Sequence, residues 1–285
     1  MNSNKPVVII TGTSSGIGFE TALEFARNGY QVFATMRDIS KKSVLDEAAK
    51  SENLHLDFVE INVDSDISVK SGITDILTTR DRVDVLVNNA GYGLIGSIED
   101  SAIEEIQSQF ETDFFGPIRM IKEVLPTMRK QQSGKIINVS SIAGQIGFAM
   151  TSGYVSSKYA LEGLTDSLRQ ELAPNGISLS LIEPGVVKSN FHKNMRVAKK
   201  SKENSMYREM TELMIKQSAL LFERGLLPKI VAKKIIDVTK IPIMEPRYTV
   251  GEDAELLLEH KKRMSGLEFE KYVQEVFKDV LSFTD

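Results

Sequence analysis

Apolar residues fall along this chain in short unbroken runs, separated by longer stretches where they recur every three or four positions. Val7-Val8-Ile9-Ile10 is the first run, β-branched throughout, and it predicts a buried strand over Lys5 to Thr11. Phe19, Ala22, Leu23, Phe25 and Ala26 follow at helical spacing, and Asn28-Gly29 is the stop signal. The alternation continues with strands expected at Tyr30 to Met36, Leu54 to Val63, Val83 to Val87, Lys135 to Val139 and Ile177 to Ile182. Helices are expected between them at Ser40 to Lys50, Asp66 to Thr79, Ser101 to about Lys130, and Ser152 to Leu172. Ser101 with Glu104 has capping-box spacing, and Gly116-Pro117 should bend the long helix that Ser101 starts. Strands that are continuous apolar runs, alternating with helices, predict an α/β fold: a doubly wound parallel sheet with helices on both faces. With no internal repeat, linker or low-complexity segment, one domain over residues 1–285 is the economical organisation.

Past Ile182 the pattern is mainly helical. Met206, Met210 and Met214 recur at helical spacing beside Leu213 and Ile215. A core-facing stripe is the favoured reading, and a flexible apolar lid over a bulky substrate is the other. A helix is expected at Pro228 to Thr239, and two more between Glu252 and Phe283, broken at Ser265-Gly266.

Composition narrows the function classes. A net charge of -4 gives no support for nucleic-acid binding, and the basic run Lys199, Lys200, Lys202 ends at Glu203. The absence of cysteine excludes disulfides and thiolate metal sites and is compatible with a cytoplasmic location, which is the expectation. No signal-peptide layout and no apolar run of about 18 residues is present, so no transmembrane segment is expected. His55, His192 and His260 lie far from Ser141 in sequence and lack metal-ligand spacing, which argues against a Ser–His hydrolase or a metal site. His192 follows a loop near the expected site, but an ordinary surface histidine is the favoured reading.

Candidate chemistry sits at the carboxyl ends of the expected strands, where ligands of such sheets bind. Between the first strand and helix, Thr11-Gly12-Thr13-Ser14-Ser15-Gly16-Ile17-Gly18 forms a glycine-rich turn whose backbone N–H groups and helix N-terminus suit a pyrophosphate. The second strand ends Met36-Arg37-Asp38. An acid at the Met36 position would bond the ribose hydroxyls of NAD, whereas an Arg can hold the extra phosphate of NADP. Asp38 comes after Arg37 and reads as the start of the next turn, so NADP(H) is favoured over NAD(H). Tyr154 and Lys158, four residues apart, share one helix face. A nearby ammonium favours the phenolate of a tyrosine that would otherwise titrate near ~10, which makes the pair a candidate proton donor.

With Thr11 to Gly18, Asn88-Asn89-Ala90-Gly91, Ser141 and Tyr154 to Lys158 in this order, residues 5 to 190 resemble the short-chain dehydrogenase/reductase family. The wording Ala34-Thr35-Met36-Arg37-Asp38 and Phe114-Phe115-Gly116-Pro117 is similar to its 17β-hydroxysteroid and retinol dehydrogenase-like branch. The resemblance implies that Gly12, Gly16 and Gly18 shape the turn under the pyrophosphate while Ser14, Ser15 and Ile17 contact the cofactor. It implies that Arg37 holds the 2′-phosphate, that Asn62 and Val63 contact the adenine, and that Asn89, Ala90 and Gly91 back the cofactor. Pro184, Gly185, Val187 and Ser189 then line the nicotinamide end. Ser141 orients the substrate oxygen, Tyr154 is the acid/base, and Lys158 bonds the nicotinamide ribose and lowers the Tyr154 pKa. Residues 191 to 227 fall where the family places its variable substrate-covering segment, and Glu245 to Gly251 resembles its last strand. A homodimer or homotetramer is implied as well.

Two positions depart from the family pattern. Asn62 stands where Asp is usual, and its amide oxygen can still accept a hydrogen bond. Asp113 stands where an Asn completes a catalytic tetrad and supports a proton relay to the Lys. The expectation is an active enzyme altered by Asp113, which would stabilise the Lys158 ammonium. The chain is therefore expected to move a hydride between NADP(H) and a carbonyl or alcohol substrate, bulky and apolar if the methionine face is a lid. NAD(H)-dependent alcohol oxidation is the enzymatic alternative, and a non-catalytic nucleotide-binding or sensor protein is the other, motivated by Asp113.

Overall fold

The structure, a computed structural model, describes residues 5–203 and 205–276. Its strands in chain order are β1 Val7–Thr11, β2 Gln31–Met36, β3 Asp57–Glu60, β4 Val85–Asn88, β5 Leu94–Ile95, β6 Gly134–Val139, β7 Ile177–Pro184, β8 Arg196–Val197 and β9 Arg247–Val250. Its helices are α1 Gly16–Arg27, α2 Ser43–Ser51, α3 Asp66–Thr79, α4 Ile103–Phe110, α5 Gly116–Gln131, α6 Ser152–Leu172, the short α7 Phe191–Asn194, α8 Arg208–Arg224, α9 Pro228–Lys240, α10 Glu252–Arg263 and α11 Gly266–Val276. The part of the last expected helical stretch beyond Val276 lies outside the described residues.

The main sheet has seven strands in the order β3-β2-β1-β4-β6-β7-β9, and every pairing is parallel. The β1 run is apolar on both sides because both of its faces are covered. Val8 and Ile10 pack with α1, α2 and α9, whereas Val7 and Ile9 pack with α3 and α5. Each such aliphatic side chain taken fully out of water contributes about 1.5–3 kcal/mol. The order reverses beside β1, between β2 and β4, and such a switch point opens a crevice at the strand ends.

The long helix expected from Ser101 is divided. A π-turn at Glu111–Phe115 separates α4 from α5, and the Gly116 N–H reaches back five residues to the Glu111 carbonyl. Pro117 has no N–H to return to the Asp113 carbonyl, so regular α-helical bonding fails there. The cap also differs from the expectation. Ser101 donates its hydroxyl to Ser97 O, and Ala102 begins the helix with its N–H bonded to the Glu105 carboxylate at 3.0 Å.

The methionine stripe is not core. Met206 is exposed, and Met210 and Met214 are half-buried; the core-facing positions of α8 are Thr211 and Ser218. Two short pairings fix the segment after β7. β5 joins β8 in parallel, and Val187 bridges Leu226, which lays residues 187–198 along the mouth of the crevice. Ala254, Leu258 and Phe269 of α10 and α11 pack on Ile142 and Ile146, so the C-terminal helices rest on the loop that follows β6.

Candidate active site

A cavity of about 1290 Å³ opens at the switch point. Gly12, Ser14, Ser15, Gly16 and Ile17 form one wall, with Arg37, Asn62 and Val63 beside them. Asn89, Ala90 and Gly91 form its floor. Ser141, Tyr154 and Lys158 face in from the far side, and Pro184, Gly185, Val187 and Ser189 complete that end. Gly18 and Asp113 stand behind the wall rather than on it. Gly18 lies under the turn, where a Cβ would come within 2.4 Å of both Asn89 Nδ2 and Gly12 O.

The turn is held from below by β4. Asn89 Nδ2 donates to Thr11 O and Gly12 O at 2.9 and 3.1 Å, and the Thr11 hydroxyl accepts from the N–H groups of Asn89 and Ala90. Thr11 in this role was missed at the sequence level, because nothing local to it points to a partner almost eighty residues away. Gly12 has φ +71°, and a Cβ there would stand 2.8 Å from Ala90 Cα, so a side chain would fill the cradle. Ser15 caps α1 through its backbone alone, leaving the helix N-terminus open to the cavity.

At the end of β2, no carboxylate pairs with the exposed Arg37 among the described residues. Asp38 also lines the cavity and caps the next turn, its Oδ1 accepting from Ser40 N and Oγ at 3.1 and 2.6 Å. Asn62 Oδ1 accepts from Asp64 N at 3.2 Å. Arg196 on β8 and Arg224 at the end of α8 also line the cavity, and the Arg196 guanidinium stacks 4.1 Å from the Tyr92 ring centroid. No local signal in the chain points to Arg196, since β8 is placed there only by its pairing with β5.

The centre is built on α6. Lys158 is buried and donates to Val139 O at 3.2 Å; its Nζ stands 5.8 Å from the Tyr154 ring centroid. Asp113, buried in the π-turn, places Oδ2 at 3.3 Å from Lys158 Nζ and accepts from Tyr92 N through Oδ1 at 3.2 Å. The Lys158 contact is an ion pair without hydrogen-bond alignment, for Oδ2 accepts no aligned bond. Ser141 begins the turn after β6, its Oγ accepting from Ala143 N at 3.1 Å, and it lines the same cavity as Tyr154.

The electrostatics correct one expectation. Burial pushes the Tyr154 phenol above its ordinary value, outweighing the Lys158 charge and the Ser141 hydroxyl that favour the phenolate, and Asp113 adds to the rise. Lys158 therefore does not leave Tyr154 with a lowered pKa here. Burial pulls Lys158 down, but Asp113 and Tyr154 more than offset it and hold the ammonium charged. Burial also pushes the Asp113 carboxyl up, opposed by Lys158 and the Tyr92 N–H. His192 is held to Ser189 O at 2.8 Å and stacks on Phe222, outside the cavity wall. Phe191 stands 6.0 Å from Tyr154 and 6.0 Å from Phe222, beginning an apolar path to Met214, Leu221 and Leu257.

Comparison with known proteins agrees with this architecture. The family profile described as short chain dehydrogenase matches residues 6–200, and the chain belongs to that oxidoreductase family. It is 35% identical over 252 residues to a probable short-chain type dehydrogenase/reductase, VdlC, of Helicobacter pylori, covering 88% of this chain and 90% of that protein. It is 44% identical over 189 residues to human retinol dehydrogenase 8, covering 65% of this chain and 60% of that protein's length. A short-chain dehydrogenase structure from Streptomyces avermitilis superposes with TM-score 0.79 at 29% identity, covering 96% of this chain and 98% of that one. Solved structures of the same fold include complexes with NADP, NAD and NADPH.

Proposed function

We propose that this protein is an NADP(H)-dependent reductase of carbonyl compounds, acting reversibly on the corresponding alcohols. The observation that carries the reading is that Ser141, Tyr154 and Lys158 line the same cavity, with the Lys158 ammonium 5.8 Å from the Tyr154 ring centroid. When bound, the nicotinamide supplies hydride transfer to or from carbon. Gly12, Ser14, Ser15, Gly16 and Ile17 would hold its pyrophosphate, with Gly18 supporting the turn from behind. Asn62 and Val63 would meet the adenine, Asn89, Ala90 and Gly91 would back it, and Pro184, Gly185, Val187 and Ser189 would take the nicotinamide end.

The chain's own residues handle the proton and the charge. Ser141 donates a hydrogen bond to the substrate oxygen, where negative charge grows in the transition state. Tyr154 protonates that oxygen in reduction and takes the proton back in oxidation. A phenol raised by burial is a reservoir that stays protonated at neutral pH, which suits the reductive direction. Lys158, held charged by Asp113, would bind the ribose hydroxyls next to the nicotinamide and keep the phenolate within reach. Asp113 acts through Lys158 as a positioning residue. Support for NADP(H) over NAD(H) comes from Arg37, free of a carboxylate partner among the described residues, and from Asp38, committed to Ser40. The apolar path past Phe191 fits a substrate with a bulky hydrocarbon part. Retinol dehydrogenase 8 is consistent with that class of substrate, and here the class remains a proposal.

The test is NADPH consumption against a panel of carbonyls, for the parent and Tyr154→Phe. A general acid contributes about 10²–10⁴-fold, so turnover should fall by at least about 100-fold while NADPH binding is kept. Unchanged turnover would remove Tyr154 from the mechanism. Tight NADPH binding without turnover on any carbonyl would favour a nucleotide-binding protein that Asp113 has left inactive.

A further inference from the structure

Beneath the loop that carries Ser141 lies a charged cluster that the proposed reaction does not use. Glu162 follows Lys158 by one turn of α6 and is buried, as is Glu183 near the end of β7. The Arg247 Nε serves both, at 2.8 Å from Glu162 Oε2 and 3.4 Å from Glu183 Oε1, while its Nη2 is committed to Asp166 at 2.7 Å. Three carboxylates share one guanidinium, and two of them are out of water. The nearby cations do not redress the balance, since Lys158 is paired with Asp113 and Lys261 reaches only the Gln145 carbonyl oxygen. Tyr159 donates to that same carbonyl, and Thr249 donates to Glu183 Oε2 at 3.2 Å. A buried carboxylate in excess over its cations is relieved by taking up a proton.

The place for that proton is Glu162 Oε1, a buried oxygen with no aligned hydrogen bond. Ser140 Oγ is buried in the same condition and faces it across Gly144, where a Cβ would lie 2.8 Å from Oε1 and 2.7 Å from Oγ. Gln145, at the other end of the loop, donates Nε2 to both oxygens of Glu183 at 2.7 Å. The Ser140–Gln145 segment thus rests at one end on Glu162 and at the other on Glu183.

We propose that Glu162 and Glu183 hold one proton between them, seated on Glu162 Oε1, and that Glu162 is through it a positioning residue for the Ser141 loop. Losing the proton leaves a second buried negative charge under Ser140 and one turn from Lys158. Burial, opposed by Ser140, increased by Glu183 and opposed again by Arg247, pushes Glu162 up to about 7, so the change falls near neutrality. The role of Ser141 in this inference rests on the oxidoreductase reading above, but the test does not require turnover. It is an NMR titration of the full chain from about pH 5 to 9, following ¹³C-labelled glutamate carboxyls and the ¹⁵N amides of Ser141, Ala143 and Gln145. One carboxyl should titrate with a midpoint about 7, absent in Glu162→Gln, and the loop amides should move with it in the parent but not in the variant. In Glu183→Gln the same midpoint should fall, because the neighbouring charge is gone; this variant carries the comparison if Glu162→Gln does not fold. Glutamates that all titrate in the ordinary carboxylate range, or loop amides indifferent to the Glu162 titration, would overturn the proposal. Failure of the oxidoreductase reading would show separately, as absent carbonyl turnover with the titration intact.

Discussion

At the scale of single residues, Asp113 decides how the Tyr154–Lys158 pair behaves. Its charge raises Lys158 directly and raises Tyr154 as well. Asp113→Asn removes both effects, so both groups should titrate at lower pH than in the parent. The chain has no tryptophan, so tyrosinate absorbance can be followed cleanly, with Tyr154→Phe as the subtraction control. Alcohol oxidation needs the phenolate, and its rate should rise with pH until Tyr154 has ionised. In Asp113→Asn that rise should therefore move to lower pH, and an unmoved or alkaline-shifted profile would show that the carboxylate does not act on Tyr154. Arg37 gives a second residue-scale prediction. A charge-assisted hydrogen bond contributes about 1.5–3 kcal/mol, so Arg37→Ala should weaken NADPH binding by roughly 10- to 100-fold and leave NADH binding nearly unchanged. Equal affinities before and after would refute the phosphate assignment. The identities of Asp113 and Arg37 were legible in the chain, but the net direction of the Tyr154 shift was not. Spacing on a helix reveals the cation one turn away, while burial, which wins here, depends on the loop after β6 and on α7 closing around the phenol.

At the scale of elements, the glycine-rich turn and α1 depend on close backbone approach. Gly18→Ala would push a methyl into Asn89 Nδ2 and the Gly12 carbonyl, each 2.4 Å from its ideal position. Overpacking of this kind costs about 1–3 kcal/mol, and the displaced turn would lose its hydrogen bonds from Asn89. A lower melting temperature together with weaker nucleotide binding is the expected result. A variant with parent-like stability and binding would mean that α1 shifts without strain. The strand and helix periods made these elements visible, and α3 and α6 have the bounds that the pattern predicts. The pattern failed where individual side-chain contacts, rather than spacing, set the outcome. Ser101 looks like a cap, yet its hydroxyl is taken by Ser97 O and the helix starts one residue later. Met206, Met210 and Met214 have the spacing of a core stripe, but Met206 is exposed and, of the three, Met214 alone lines the cavity.

At the scale of the whole molecule, the Glu162 cluster couples folding to pH. In the folded chain Glu162 is pushed up to about 7 from an ordinary value of 4.5. Its folded pKa is the higher one, so the folded state holds the proton more tightly. The resulting stabilisation is fully present below the unfolded value and is lost as pH rises through the folded one. A tenfold change in proton affinity corresponds to about 1.4 kcal/mol, which makes the total on the order of 3 kcal/mol between roughly pH 4.5 and 7. The sign is opposite to that of an ordinary salt-bridged carboxylate, whose contribution is lost as pH falls. Glu162→Gln keeps a neutral side chain of similar volume at all pH values and should lack this dependence. Thermal unfolding of parent and variant, measured side by side across that range, should therefore diverge. The parent should lose several degrees relative to Glu162→Gln as pH rises from about 4.5 to neutrality, with the difference levelling off above about pH 7. Parallel curves would mean that Arg247 keeps Glu162 ionised in the fold, and that the three carboxylates are balanced without a proton.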